Sequence, residues 1–319
     1  MGMLVEGQWQ DVWYDTKKSG GRFVREDAAF RNQLAPANRE GADFPAEAGR
    51  YHLYVSLACP WAHRTLMVRS LKSLEDLIPV SVVSPIMLEN GWTYKVEEGS
   101  SGDQLGGHAF HHQLYTTAKA DYTGRVTVPV LWDCKLNTIV NNESSEIIRM
   151  FNSAFDAITG NTLDLYPDAL RTGIDDWNER IYPAINNGVY RAGFATSQSA
   201  YEEAYGEVFA ELDHIDAHLA DHRYLLGEQL TEAYIRLFTT LIRFDAVYHG
   251  HFKCNRQRLE DYTHIPGYVR DIYQLPGIAA TVDFDHIKRH YYASHLNINP
   301  TGVVPAGPDI DYGRPHGRG

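Results

Sequence analysis

The chain has 319 residues, which suggests about two domains and leaves ample length for a buried core. It carries 29 Lys and Arg residues against 41 Asp and Glu residues, a formal net charge of −12 at pH 7. This acidic balance argues against a general nucleic-acid binder and a polybasic membrane anchor, because both need a basic surface. Aromatic residues form 12% of the chain, enough to line a pocket as well as to fill a core.

The N-terminal segment and the cysteine content favour a cytoplasmic protein. Residues 1–13 include Glu6 and Asp11 and lack the apolar run of a secretory signal. No window approaches 18 apolar residues, so we expect no membrane span. The three cysteines are too few for a disulfide framework, which favours a reducing compartment.

The first half of the chain predicts an N-terminal arm followed by an α/β domain. Residues 1–49 are polar and broken by Gly and Pro, which is typical of an extended arm. Short β-prone runs predict four strands, at 51–56, 80–83, 126–132 and 137–140. Helical spacing and a start signal predict helices over 60–74 and from residue 143. The domain spans 50–155 and contains an insertion, 85–124, without clear periodicity; connections this long are usually functional or mobile.

The second half of the chain is helical in pattern. Three apolar stripes with steps of three and four residues cover 170–185, 201–219 and 235–248. Shorter helices are expected over 267–274 and 281–293. We therefore predict an all-α domain over 165–293 and an irregular tail over 294–319, which is rich in Gly and Pro.

Cys59 carries the clearest chemical signal. It lies between a predicted strand and a predicted helix, and Pro60 suits the first helical position. Free N–H groups and the dipole of that helix would stabilise a thiolate. Position 62 is Ala rather than Cys, so the motif has no resolving partner and needs an external thiol. The plainer interpretation, a buried structural cysteine, suits Cys134 and Cys254 better.

Two further signals follow Cys59 at a distance. Val128-Pro129 opens a predicted strand, and in a thioredoxin fold a cis-proline turn lies beside the reactive cysteine. Glu143 and Ser144 come at a predicted helix start, where a backbone N–H and a hydroxyl can bind a carboxylate. The alternative role for Ser144 is that of a simple N-cap.

Five strings together resemble the glutathionyl-hydroquinone reductases, the Xi class of glutathione transferases. They are Cys59-Pro60-Trp61-Ala62-His63-Arg64, Gly91-Trp92-Thr93-Tyr94, Asn141-Asn142-Glu143-Ser144, Asn187-Gly188-Val189-Tyr190 and Tyr248-His249-Gly250-His251-Phe252. The resemblance implies a glutathione transferase fold, with an α/β thioredoxin-like N-terminal domain and an all-α C-terminal domain. It also implies a homodimer with glutathione as co-substrate, and reduction of glutathionyl-hydroquinones to hydroquinones with release of oxidised glutathione.

The resemblance also implies site residues. Cys59 takes the role of nucleophile. The residues implied to bind glutathione are Trp92, Arg125, Val128, Glu143 and Ser144. These types suit a ligand with two carboxylates and one ammonium group. Three residues match quinol-site tyrosines, namely Tyr190, Tyr248 and Tyr291, because a phenol can stack on a hydroquinone ring and hydrogen-bond its hydroxyls. Adjacent Tyr292 is an alternative to Tyr291.

Three other interpretations stay open. A metal site would use histidine clusters, at His108 with His111-His112, His214/His218 and His286/His290, but no zinc-binding motif accompanies them and we expect no metal. An omega-like thioltransferase or dehydroascorbate reductase, or a β-etherase-type glutathione enzyme, would share the scaffold. A non-catalytic glutathione-transferase-like binding module would tolerate loss of Cys59. No Gly-rich phosphate loop is present, so no nucleotide cofactor is expected.

The chain departs from the usual transferase pattern at a capping box. Thr231 begins a predicted helix, and Tyr234 stands where an acidic residue usually binds the N-cap backbone. Loss of such a cap costs about 0.5–2 kcal/mol. We therefore expect Tyr234→Asp to stabilise the protein.

Overall fold

The computed structural model describes residues 2–318 and divides into two compact units. The first, the sheet unit, contains residues up to 13, 26–164 and 280–295. The second, the helical unit, contains residues 14–25, 165–279 and those from 296 onward. No helix among the described residues combines the length and the apolar character that crossing a bilayer requires.

The sheet unit contains two β-sheets. The strands are β1 (Met3–Val5), β2 (Gln8–Gln10), β3 (Tyr51–Val55), β4 (Val80–Val82), β5 (Gly124–Arg125), β6 (Val130–Asp133) and β7 (Thr138–Asn141). The larger sheet has the order β4-β3-β6-β7. Its β3 and β4 are parallel, whereas β6 runs antiparallel to both β3 and β7. All five residues of β3 are buried, so this strand forms the centre of the unit. The smaller sheet, β2-β1-β5, is antiparallel.

Ten α-helices accompany the strands within residues 2–318. They are α1 (Pro60–Leu71), α2 (His112–Ala118), α3 (Ser144–Ser153), α4 (Asp156–Thr159), α5 (Arg171–Ile181), α6 (Gly188–Gly193), α7 (Gln198–His218), α8 (Glu232–Arg243), α9 (Ile265–Tyr273) and α10 (Phe284–Ser294). Two of them, α5 and α8, continue directly into π-helical turns over Tyr182–Asn186 and Phe244–Tyr248. Such turns are rare and are found frequently at functional sites.

The long periodic segments match their predicted elements, and several short segments do not. The strands over 51–56 and 80–83 and the three helical stripes are confirmed. The predicted strand 126–132 begins only at Val130. Sequence reasoning missed the β1–β2 hairpin in the arm, and helices α2 and α6. The hairpin strands have three residues each and depend on distant pairing, such as Met3 with Arg125, which no local pattern contains.

Helix α10 belongs to the sheet unit, whereas the predicted all-α domain extends to residue 293. Hydrogen bonds explain its placement. The ring of His290 contacts the Pro85 carbonyl at 2.9 Å, and the Ser294 hydroxyl accepts the Met87 amide N–H at 2.9 Å. The insertion thus holds α10 through polar contacts that hydrophobic periodicity does not report. The domain boundaries stay predictions.

The structure reverses the expectation for Tyr234. The Tyr234 side chain is 0% exposed, and its ring lies 4.8 Å from that of Tyr224. Its hydroxyl accepts the Leu226 amide N–H at 3.1 Å. Thr231 is the N-cap of α8 and makes no side-chain capping bond. An Asp at 234 would therefore place a carboxylate in an aromatic core, which costs more than a cap returns.

Candidate active site

Cys59 lies between β3 and α1, at the N-cap position of the helix. Pro60 is the first helical residue, where a missing N–H costs nothing because the helix offers it no partner. The His63 amide N–H donates to the Cys59 carbonyl at 2.9 Å and closes the first turn. The Cys59 side chain is half-buried. The thiol thus lies at the positive end of the helix dipole, where the sequence predicts it.

The Cys59 sulfur contacts the backbone of the Val128-Pro129 turn. Its Sγ lies 3.6 Å from the Val128 carbonyl oxygen, within reach of a thiol hydrogen bond. The Val128–Pro129 peptide bond is cis, which confirms the expectation from sequence. The structure therefore brings together two predicted site residues that are 69 positions apart in the chain.

Glu143 and Ser144 form the start of α3. Glu143 is the N-cap, and its Oε1 accepts the Ser145 amide N–H at 2.9 Å and the Ser145 hydroxyl at 2.8 Å. Glu143, rather than Ser144, therefore caps this helix. The Ser144 hydroxyl accepts a hydrogen bond from Arg64 at 3.4 Å instead. Ser144 is thus available for a role other than capping.

Arg64 is a further candidate site residue, which the Cys59 motif contains but for which the sequence predicts no role. Its side chain is 1% exposed, and its guanidinium lies 4.6 Å from the Trp61 ring centroid. It follows Cys59 on α1, so its place in the Cys59 motif was the available signal. A buried guanidinium beside Ser144 adds positive charge where an N-terminal helix end already favours an anion.

Trp92 and Tyr291 contact one histidine of α10. The Trp92 indole stacks on the His290 ring, with centroids 4.7 Å apart and planes at 23°. Tyr291 meets the His290 ring edge-on at 5.3 Å and the His295 ring at 5.4 Å. Trp92 is 5% exposed and Tyr291 is 1% exposed. The sequence presents His290 only as a candidate metal ligand and does not predict that its ring stacks on Trp92.

Arg125 is anchored by the N-terminal arm. It lies in β5, opposite Met3 of β1. Its guanidinium donates a hydrogen bond to the Val12 carbonyl, and its Nε lies 3.8 Å from the Glu26 carboxylate. The arm was predicted as an extended segment, so its contribution to this candidate residue comes from the tertiary structure alone.

Tyr190 and Tyr248 lie together in the helical unit. Tyr190 is on α6, Tyr248 ends the π-helical turn after α8, and their ring centroids are 6.1 Å apart. Phe252 packs against both rings, at 5.4 Å from Tyr190 and 5.5 Å from Tyr248. The Arg25 guanidinium lies 5.1 Å from the Tyr190 centroid. Phe252 belongs to one of the five motifs, but the sequence predicts no role for it or for Arg25.

Comparison with known proteins identifies the family. The models for the glutathione S-transferase N-terminal and C-terminal domains match residues 58–154 and 198–271. Glutathionyl-hydroquinone reductase YqjG of Escherichia coli (strain K12) is 58% identical over 323 residues, covering 100% of this chain and 98% of the relative. The chain belongs to the glutathionyl-hydroquinone reductase family of glutathione transferases.

Other members of this family match over the same length. Glutathionyl-hydroquinone reductase PcpF of Sphingobium chlorophenolicum is 51% identical, covering 97% of this chain and 96% of the relative. The glutathione-bound structure of YqjG matches with a TM-score of 0.90 at 55% identity, covering 99% of each chain. The Xi class glutathione transferase of Natrialba magadii matches with a TM-score of 0.92 at 50% identity, covering 100% of this chain and 96% of that structure. The family and the fold class inferred from sequence are confirmed.

In this member of the glutathionyl-hydroquinone reductase family, the predicted site residues divide between the two units. The sheet unit contains the cysteine, Tyr291 and the five residues implied to bind glutathione, whereas the helical unit contains Tyr190 and Tyr248. Among residues 2–318, no cluster of three or more His, Cys, Asp or Glu residues has the arrangement of a metal site. The roles of the individual residues stay predictions.

Proposed function

We propose that the protein uses glutathione to reduce glutathionyl-hydroquinones to hydroquinones, with Cys59 as the nucleophile. The observation that carries the proposal is a cysteine at the start of α1, 3.6 Å from the Val128 carbonyl, with Ala rather than Cys at position 62. A site with one thiol forms a mixed disulfide and needs a second thiol to release it. Full-length relatives at 58% and 51% identity bear the name of this activity.

The first half-reaction joins Cys59 to the glutathionyl group. The thiolate attacks the sulfur of the glutathionyl-hydroquinone, so an S–S bond forms and the bond from sulfur to the ring carbon breaks. A tyrosine hydroxyl is the proposed proton donor: it protonates the ring carbon that bears the sulfur, which converts the quinol to its keto tautomer. When the bond from sulfur to that carbon breaks, its electron pair returns to the ring and restores the aromatic system, and the phenolate oxygen left behind takes up a proton. The product is a free hydroquinone.

The second half-reaction restores the enzyme. The thiolate of a free glutathione attacks the glutathionyl sulfur of the mixed disulfide, and the Cys59 thiolate leaves. Oxidised glutathione is released, so one glutathione is consumed for each hydroquinone formed. The two half-reactions share one thiol and follow each other, which predicts ping-pong kinetics.

Glutathione is proposed to lie along the sheet unit. The glutathione carboxylates suit two places. One is the Ser144 end of α3, where the helix dipole and the buried Arg64 supply positive charge, and the other is the Arg125 guanidinium. The ammonium group suits Glu143, and the peptide backbone suits Val128. Trp92 supplies a flat apolar wall whose other face is covered by His290.

The candidate residues for contact with the hydroquinone ring are Tyr190, Tyr248 and Tyr291, each considered by itself. A phenol can stack on an aromatic ring and hydrogen-bond its hydroxyl groups. Two of the three tyrosines are neighbours in the helical unit, and the Arg25 guanidinium beside Tyr190 adds a positive charge that favours a quinol anion.

We also propose that the protein is a cytoplasmic homodimer. Light scattering on the purified protein tests its oligomeric state.

The test is the intact mass of the protein after incubation with a glutathionyl-hydroquinone and no free glutathione. We expect the wild type to gain one glutathionyl group and release hydroquinone, while Cys59→Ser gains none. Turnover of Cys59→Ser should fall by about a thousandfold or more, because the nucleophile is lost. Cys134→Ser is the matched control and should keep full turnover. A Cys59→Ser protein that still turns over would remove Cys59 from the mechanism.

An omega-like thioltransferase is the second candidate. An omega-like glutathione transferase of Schizosaccharomyces pombe is 48% identical, covering 93% of this chain and 97% of the relative. Rates on a glutathionyl-hydroquinone, dehydroascorbate and a small glutathione mixed disulfide separate the two activities. A wild type that ignores the glutathionyl-hydroquinone but accepts the mixed disulfide would favour the thioltransferase.

A further inference from the structure

His111 joins two segments of the sheet unit that the proposed function assigns to glutathione. It is the last residue before α2, inside the long insertion. Its backbone N–H donates to the Trp92 carbonyl at 2.9 Å. Its ring Nε2 lies 3.0 Å from the carbonyl oxygen of Thr127, the residue before Val128. One residue thus holds the tryptophan by its backbone and the cis-proline turn by its side chain.

The hydrogen-bond partners determine the state of the His111 ring. The Thr127 carbonyl can only accept, so Nε2 carries the proton. The other nitrogen, Nδ1, then accepts from the Tyr94 hydroxyl at 2.8 Å. The side chain is 0% exposed, and burial lowers the pKa of His111 to about 4. The ring is therefore neutral at pH 7, and both of its nitrogens are engaged.

Tyr115 of α2 strengthens the same anchor. Its hydroxyl donates to the Thr127 carbonyl at 2.9 Å, so this one oxygen accepts two hydrogen bonds. The Tyr115 oxygen in turn accepts from the Asn142 side-chain amide at 3.2 Å. Asn142 immediately precedes Glu143, the N-cap of α3. The network thereby reaches a third segment that is proposed to bind glutathione.

We propose that His111 is a positioning residue of the glutathione site, fixing the Thr127–Val128 peptide relative to Trp92. A peptide group is planar, so an anchored Thr127 carbonyl also fixes the direction of the Val128 N–H. The Val128 carbonyl, next along the backbone, is the group that faces the Cys59 sulfur. This inference rests on the proposed function, because it takes the Val128 backbone and Trp92 as glutathione-binding groups.

The experiment measures the Kd of S-methylglutathione, which has no free thiol, and the melting temperature of each variant. The two informative variants are His111→Asn and His111→Gln. Glutamine reaches as far as Nε2 and keeps a donor for the Thr127 carbonyl, whereas asparagine is too short. We expect affinity to fall about tenfold in His111→Asn, as for one lost buried hydrogen bond, and to be largely rescued in His111→Gln.

His52→Asn is the matched control. His52 is another buried histidine of the sheet unit, 4% exposed, but its ring contacts the Ser81 hydroxyl at 2.8 Å rather than a proposed glutathione-binding segment. We expect it to lower the melting temperature and leave the Kd unchanged. That combination separates a loss of stability from a loss of positioning.

Three results would overturn the inference: an unchanged Kd in His111→Asn, equal weakening in His111→Asn and His111→Gln, or equal weakening in His52→Asn. If His111→Asn does not fold, Tyr115→Phe removes one hydroxyl from the same carbonyl, and an unchanged Kd there overturns the inference as well. A wild type that does not bind S-methylglutathione would instead reject the glutathione site itself. The two failures are therefore distinguishable.

Discussion

The two groups of candidate residues are held by different interactions. Around Cys59, hydrogen bonds to backbone groups fix the site, as at the Thr127 carbonyl and the start of α3. Around Tyr190 and Tyr248, aromatic rings pack on one another, with centroids 5.4 to 6.1 Å apart. The first group lies in the sheet unit and the second in the helical unit.

The difference suits the two parts of the proposed substrate. Glutathione is a charged peptide, and directional hydrogen bonds recognise such a ligand closely. A hydroquinone ring offers a flat surface and two hydroxyls, and ring packing accepts several substituents on such a ring. We therefore expect strict selection of the glutathionyl part and broader tolerance for the quinol part.

The largest expected effect on stability lies in the aromatic packing of the helical unit. Tyr234→Asp should destabilise the protein by about 3–5 kcal/mol, because a fully buried ring is lost and a carboxylate is buried. Chemical denaturation measures the change in the free energy of unfolding. Tyr234→Phe is the control and should cost only about 1 kcal/mol, since it loses one hydrogen bond to Leu226. A Tyr234→Asp protein more stable than the wild type would restore the capping-box expectation.

A smaller effect for each group is expected from pH, and buried histidines of both units contribute to it. Burial lowers the pKa of His52, His111 and His251 to about 4. Below pH 6.5 the unfolded chain binds protons that the folded chain does not, so the free energy of unfolding falls between pH 6.5 and 4. The loss is at most about 3 kcal/mol for each histidine. Denaturation at several pH values measures it.

The variant His111→Gln sharpens the pH prediction. It removes one of these three histidines, two of which lie in the sheet unit. We expect the fall in unfolding free energy between pH 6.5 and 4 to become shallower. A wild-type profile that is flat over this range would contradict the neutral, buried state of these histidines.

The smallest expected effects separate the two halves of the substrate. Tyr248→Phe removes a hydroxyl proposed to contact the quinol, and should lower kcat/KM for a glutathionyl-hydroquinone by about tenfold or more. It should leave the Kd of S-methylglutathione unchanged. Ser144→Ala is the reciprocal variant and should weaken S-methylglutathione by about fivefold. Steady-state kinetics measures kcat/KM, and calorimetry measures the Kd of S-methylglutathione. If both variants weakened S-methylglutathione equally, the quinol and glutathione groups of residues would not be separate.

Local sequence was sufficient for the cysteine at the start of α1. Strand β3 ends at Val55, and Cys59 and Pro60 follow within five residues at the start of α1, so short-range patterns define the position of Cys59. The cis bond before Pro129 was predictable for the same reason, since it belongs to a recurrent turn. The long amphipathic helices were also predictable, because their apolar stripes repeat over many turns.

Contacts between distant segments were not predictable from the sequence alone. His290 behind Trp92, Arg64 beside Ser144, and Val12 on Arg125 each join residues from separate elements. The capping error at position 234 has the same origin. A local motif reports what a side chain can do for its own helix, and burial against Tyr224 overrides it.

The sequence by itself determined the family, the nucleophile candidate and the order of the main elements, because these depend on short motifs and on periodicity. Only the tertiary structure decided how the candidate residues are supported: the N-terminal hairpin that pairs with β5, the α10 helix held by the insertion, and His111 on the Thr127 carbonyl. Hydrogen bonds between segments far apart in the chain leave no periodic trace, because each needs only one donor and one acceptor.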